Sequence, residues 1–92
     1  MIKTFTFHVD LGHAWLKVSL DQVKKVGLTH ESFSQYSFYK NNYKGPDLYL
    51  EEDQDAGRFI KAFEETNGFA PIIRERHSNG YAKIRSYNRL NA

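Results

Sequence analysis

The strongest constraint in this chain is a pair of alternating segments on either side of one short turn. From Lys3 to Val9 the side chains alternate with period two, placing Phe5, Phe7 and Val9 on one face and Thr4, Thr6 and His8 on the other. Asp10-Leu11-Gly12-His13 reads as a turn, with Asp10 bonding its own backbone and Gly12 free to take positive φ. The next segment sets Ala14, Leu16, Val18 and Leu20 against Trp15, Lys17 and Ser19. A four-residue loop then pairs Val9 with Ala14, Phe7 with Leu16 and Phe5 with Val18. Both apolar rows share one side in that register, whereas a slip of one residue would turn every side chain over.

Ser19 and Gln22 have capping-box spacing and open a short helix through Val23 and Val26, which Gly27 ends. Phe33 to Tyr39 suggests a strand with aromatics on both faces, and Asn41 to Pro46 is loop by composition. Asp47 to Glu51 is a short strand. Asp53 is positioned to cap a helix in which Ala56, Phe59, Ile60 and Phe63 follow the i, i+3, i+4, i+7 spacing of one buried stripe. Asn67-Gly68 stops that helix. Beyond it, Asn79-Gly80 is a strong hairpin signal. A two-residue turn there pairs Ser78 with Tyr81, Arg76 with Lys83, Arg74 with Arg85 and Ile72 with Tyr87. The expected fold is α+β: one domain, residues 1–92, with three hairpins in an antiparallel sheet and two helices packed on one face, ββαββαββ.

Composition narrows the function classes. With no cysteine among 92 residues, neither a disulfide framework nor a thiolate metal site is available, which favours a reducing compartment. The first residues lead into alternation rather than the apolar core of a signal peptide, and no stretch reaches the ~20 apolar residues of a membrane helix. The expectation is a cytoplasmic protein with no membrane partner. Net charge is +2 but unevenly spread: +3 over residues 1–46, −5 over 47–70 and +4 over 71–92. Aromatic residues make up 15% of the chain, with six tyrosines whose hydroxyls need water or a partner.

Several clusters carry potential chemistry. His8, Asp10 and His13 are weak metal-ligand candidates, since a site would need a further ligand such as His30, His77 or the acidic run; the reading taken here is no metal. Glu51, Glu52, Asp53 and Asp55 suit the positive end of a helix dipole and, with Trp15, offer a candidate docking face for a partner. No phosphate-binding loop, dinucleotide fingerprint or nucleophile elbow is present, and no cofactor is expected. The main functional lead is the C-terminal basic face. Arg74, Arg76, Lys83 and Arg85 offer phosphate donors there, and Tyr81 and Tyr87 offer rings for stacking. In the hairpin register these four cations oppose one another, so either an anion relieves the repulsion or the true loop is longer and the register differs. The alternative to a binding face is that the cations meet Glu51, Glu52, Asp53 and Asp55 across the sheet.

The string Asp10-Leu-Gly-His-Ala-Trp-Leu-Lys-Val18, then Ser34-Gln-Tyr-Ser-Phe38, Tyr49-Leu-Glu-Glu-Asp-Gln-Asp55 and Ile84-Arg-Ser-Tyr87, resembles a family of short bacteriophage and mobile-element proteins. The resemblance implies a small, non-catalytic accessory protein in the host cytoplasm that binds a host factor, either a protein or a nucleotide-like anion, one role for such proteins being to counter host defence. Two alternatives stand beside it: a nucleic-acid-binding module using the C-terminal basic hairpin, and a small metal-dependent hydrolase.

Overall fold

In the computed structural model, which describes residues 2–91, the N-terminal alternation closes into the expected hairpin. Met1 and Ala92, the ends of the expected domain, lie outside the described residues. Strands β1 (Thr4–Val9) and β2 (Ala14–Ser19) pair antiparallel, with Val9 opposite Ala14, His8 opposite Trp15 and Phe7 opposite Leu16. Pairing stops at Thr6 and Lys17, so Phe5 and Val18 are not ladder partners, yet both turn into the same core. Helix α1 (Leu20–Lys25) starts from the predicted capping box. The Ser19 hydroxyl accepts the Gln22 N–H at 3.1 Å, and Gln22 Oε1 accepts the Ser19 N–H at 2.8 Å.

Four more strands and a second helix complete the described residues: β3 (Phe38–Lys40), β4 (Asp47–Glu51), α2 (Asp55–Asn67), β5 (Ile72–His77) and β6 (Asn88–Arg89). The sheet order is β5-β1-β2-β4-β3-β6. Helix α2 ends at Gly68, whose φ of 78° is left-handed and whose N–H donates to the Glu64 carbonyl. Both helices cover one face. Phe5, Leu16, Val18, Leu48 and Leu50 meet Val23, Val26, Ala56, Phe59 and Phe63 there. The Phe5 ring stands edge-on to Phe59 at 5.2 Å and to Phe63 at 5.6 Å. The α+β class and the two helices on one face are as expected, and among the described residues no helix is long and apolar enough to cross a membrane.

Three expectations need correction. The strand foreseen from Phe33 to Tyr39 shrinks to Phe38–Lys40 because side chains, not a ladder, satisfy the segment before it. The Asp55 carboxylate accepts the Ser34 N–H at 2.9 Å, the Ser34 hydroxyl at 2.7 Å and the Ser37 hydroxyl. Asp53 does not cap α2. Glu51 does so from the end of β4, its Oε1 accepting the N–H groups of Gln54 and Asp55 and its Oε2 that of Asp53.

The third correction is the largest. The C-terminal hairpin does not form, and the sheet is mixed rather than antiparallel. β5 runs parallel to β1, with Arg74 opposite Thr6 and Arg76 opposite His8. Since β4 is antiparallel to β2, and β2 to β1, β4 and β5 are parallel and α2 is the crossover between them. This register replaces the cation-against-cation pairs of the hairpin with neutral neighbours. Residues 78–87 then leave the edge and cross the face opposite the helices, with a 3-10 turn at Lys83–Ser86, before β6 pairs with β3.

Candidate functional site

The crossing segment is a strap, and one carboxylate fastens it. Asp10 follows β1 directly and its side chain is fully buried. Its Oδ1 accepts the N–H groups of Gly12 and His13, both at 3.0 Å, as the turn chemistry predicts. Its Oδ2 accepts the Ala82 N–H at 3.0 Å and Arg85 Nε at 2.6 Å, while Arg85 Nη2 reaches Oδ1 at 3.0 Å. The Arg85 hydrogen bonds, and then the three backbone donors, hold the Asp10 carboxyl far below the usual carboxylate range against the opposing effect of burial, and Asp10 in turn raises Arg85. Gly12 does not take positive φ. A Cβ there would lie 3.4 Å from Arg85 Nη2, so close approach of the guanidinium is what the glycine allows.

Beneath the strap, the second aromatic cluster consists of Trp15, Phe38, Tyr49 and Ile84, with Ala82 and Tyr87 packed against it. Trp15 and Phe38 meet edge to face with centroids 6.1 Å apart. Burial pushes the Tyr49 phenol up to about 12, assisted by Tyr87 and Asp47, so it stays protonated at neutral pH. Where the strap ends, a groove of about 520 Å3 opens over Trp15 and Phe38, bordered by His13, Tyr36, Gln54, Asp53, Arg85 and Arg89. The Arg85 guanidinium lies 5.5 Å from the Trp15 ring and 4.5 Å from the Tyr81 ring, and Arg89 lies 5.3 Å from the Phe38 ring. Tyr36, on the rim, is 62% exposed.

The residues singled out in the sequence therefore divide. Arg74 and Arg76 sit on edge strand β5, whereas Lys83, Arg85, Tyr81 and Tyr87 belong to the strap, so the six do not form the single hairpin face foreseen. Tyr87 packs on Tyr49 with centroids 5.2 Å apart, and Tyr81 stacks outside Arg85. The proposed docking set also divides. Glu52 and Asp53 are exposed, but Glu51 is committed to the helix end, and Asp55 and Trp15 are 2% and 3% exposed. Trp15 faces inward because the strap covers it, and Asp55 because it organises Ser34 and Ser37. His8, Asp10 and His13 do not converge either. Asp10 is saturated by five donors, His8 faces Tyr49 at 6.1 Å, and His13 Nδ1 lies 4.0 Å from Glu52. Among the described residues, no three His, Asp or Glu side chains gather as metal ligands would.

Sequence reasoning missed Arg89, Phe38 and Tyr36 at the groove. Arg89 was one of the five C-terminal cations, but it lay beyond the presumed hairpin. Set against known protein families, curated proteins and solved structures, the chain matches none.

Proposed function

We propose that the chain is a small non-catalytic accessory protein, of the bacteriophage or mobile-element kind its motifs resemble, that captures a nucleotide-like anion of the host in the groove over Trp15 and Phe38. The observation that carries this reading is the pair of arginines stacked on aromatic rings at one concavity. Asp10 already holds Arg85 in place, so little of its side-chain freedom remains to be lost when a ligand arrives. Arg89 offers a phosphate the forked donors of a planar guanidinium, and Arg85, whose Nε and Nη2 bond Asp10, adds Nη1. Tyr36 supplies a ring at the rim on which a base can stack, and Asp53 and Gln54 supply acceptors and a donor for its edge. The groove volume falls within the ~300–1,000 Å3 typical of small-molecule sites.

Trp15 is the chain's one tryptophan and reports on the groove directly. Titration with mono- and dinucleotides of all four bases should change its fluorescence and raise the melting temperature by several degrees, since a ligand of the native state stabilises it by mass action. Arg89→Gln should weaken that binding by about tenfold, the loss of ~1.4 kcal/mol, and leave the free protein's stability nearly unchanged. No fluorescence change and no stabilisation across the panel would sink this reading.

A further inference from the structure

The part of the same face that the strap leaves open has its own concentration of charge. Arg74 and Arg76 on β5 flank Thr6 and His8 on β1, and Lys17 on β2 lies opposite Thr6. All five side chains rise from one face, because they occupy matched or alternate positions of paired strands. Arg74 and Arg76 stand about 7 Å apart along β5, and Lys17 stands about 10 Å across the sheet from Arg74, within reach of long side chains meeting over Thr6.

We propose that Arg74, Arg76 and Lys17 form a site for a tetrahedral oxyanion, a phosphate group or its sulfate analogue, over the Thr6 hydroxyl and the His8 ring. Counter-charge is scarce there. Glu75 alternates to the opposite face, where it meets His77 at 2.9 Å. Lys17 has Asp47 at 3.9 Å, and among the described residues neither Arg74 nor Arg76 has a carboxylate partner. No two of the three cations are direct cross-strand partners, but they surround Thr6 on one face, where a single anion could be reached by all of them. His8 lies in the field of the cluster: burial first, then Lys17 and Arg76, lower its pKa, and an anion among those cations would act in the opposite direction. Around it stand Arg74 and Arg76 from β5, Trp15 and Lys17 from β2, and Tyr49 from β4, with Tyr87 of the strap on Tyr49. None of the three cations or Thr6 lines the groove over Trp15, so this site stands independently of the function proposed above.

Histidine titration by NMR tests it on the intact protein, with sulfate as the probe because it does not itself titrate near neutrality. At matched ionic strength, replacing chloride by sulfate should raise the His8 pKa by about one unit, and His30, remote from the cluster, should stay put. The double substitution Arg74→Gln and Arg76→Gln, at two exposed positions, should abolish the response while leaving the His30 and His13 resonances in place. A shift at His13 alone would report the groove and overturn the site proposed here, as would a His8 shift no larger than that of His30. A single-stranded oligonucleotide then identifies the source of the phosphate. If it displaces sulfate with a salt dependence that falls by ~0.7 in log–log slope per cation removed, the group taken is that of a nucleic-acid backbone. If sulfate and inorganic phosphate bind and the oligonucleotide does not, it is a free oxyanion.

Discussion

The two faces of the sheet are covered by unlike means. On one, α1 and α2 bury an apolar layer in which Phe5, Phe59, Phe63 and Phe69 interlock edge to face. On the other, a ten-residue strap buries only Ala82, Ile84 and part of Tyr87 and is fastened by one carboxylate. The first face draws its stability from area and packing, spread over many residues. The second concentrates it in Asp10, where a single charge satisfies five donors from two distant parts of the chain. A distributed core tolerates loss at any one contact better than a single fastening does, and the exposed remainder of the second face is where ligands can reach the sheet.

Substitutions can break either cover. Phe59→Ala, at the centre of the helix side, should cost ~3–5 kcal/mol, and Phe63→Ala a similar or slightly smaller amount. Chemical denaturation would show both, as a large fall in midpoint with one cooperative transition; a midpoint close to wild type would remove the α2 stripe from the core. Asp10→Ala should cost less, ~2–4 kcal/mol, because the N–H groups of Gly12, His13 and Ala82 lose their acceptor but water can reach them once the strap lifts. The distinguishing sign is local. Hydrogen exchange at Ala82 and Tyr87 should accelerate and Trp15 emission should move to the red, while amides of α2 keep their protection. Uniform exchange acceleration would show that the two covers are a single unit.

The smallest effect concerns pH and separates the two charged groups of this face. His8 has a lowered pKa, so the unfolded chain binds more protons than the folded one as pH falls. The contribution is intact above the unfolded value of about 6.5 and is lost as pH drops through and below it. Stability should therefore decline between pH 7 and 5, and His8→Gln should flatten that slope. Asp10 behaves differently. Its carboxyl is held so far below the unfolded value of about 3.9 that the strap should remain fastened at pH 4, with the protection lost only in stronger acid. Trp15 fluorescence that loosened between pH 6 and 5 in wild type and His8→Gln alike would contradict this.

What could be read from the sequence was local. The Asp10–His13 turn, the Ser19–Gln22 capping box, the strand at Asp47–Glu51 and the Phe59–Phe63 stripe each depend on residues close along the chain, where period and spacing act directly. Asn79-Gly80 misled for the opposite reason. Its turn propensity is worth little against a parallel partner that buries Ile73 and removes cationic neighbours, and that partner lies some seventy positions earlier. Asp55 showed the same limit in miniature: its acidic neighbours suggested a helix end and a docking face, whereas Ser34 and Ser37, ahead of β3, draw it inward. The groove could not be seen at all, because Trp15, Phe38, Arg85 and Arg89 come from three separate stretches that only the sheet and strap assemble.

The Asp10–Arg85 fastening also sets an order of events during translation. Its two halves lie 75 positions apart, so the carboxylate waits for its partner until the strands and helix between them have been made. β1, β2, β4 and α2 have all left the ribosome by then, and the helix side can close around residues already made. Trp15, Phe38 and Tyr49 have no cover until Ala82 and Ile84 emerge. For that interval the nascent protein presents an aromatic sheet surface to solvent, and the residues that later floor the groove leave water only when the strap arrives.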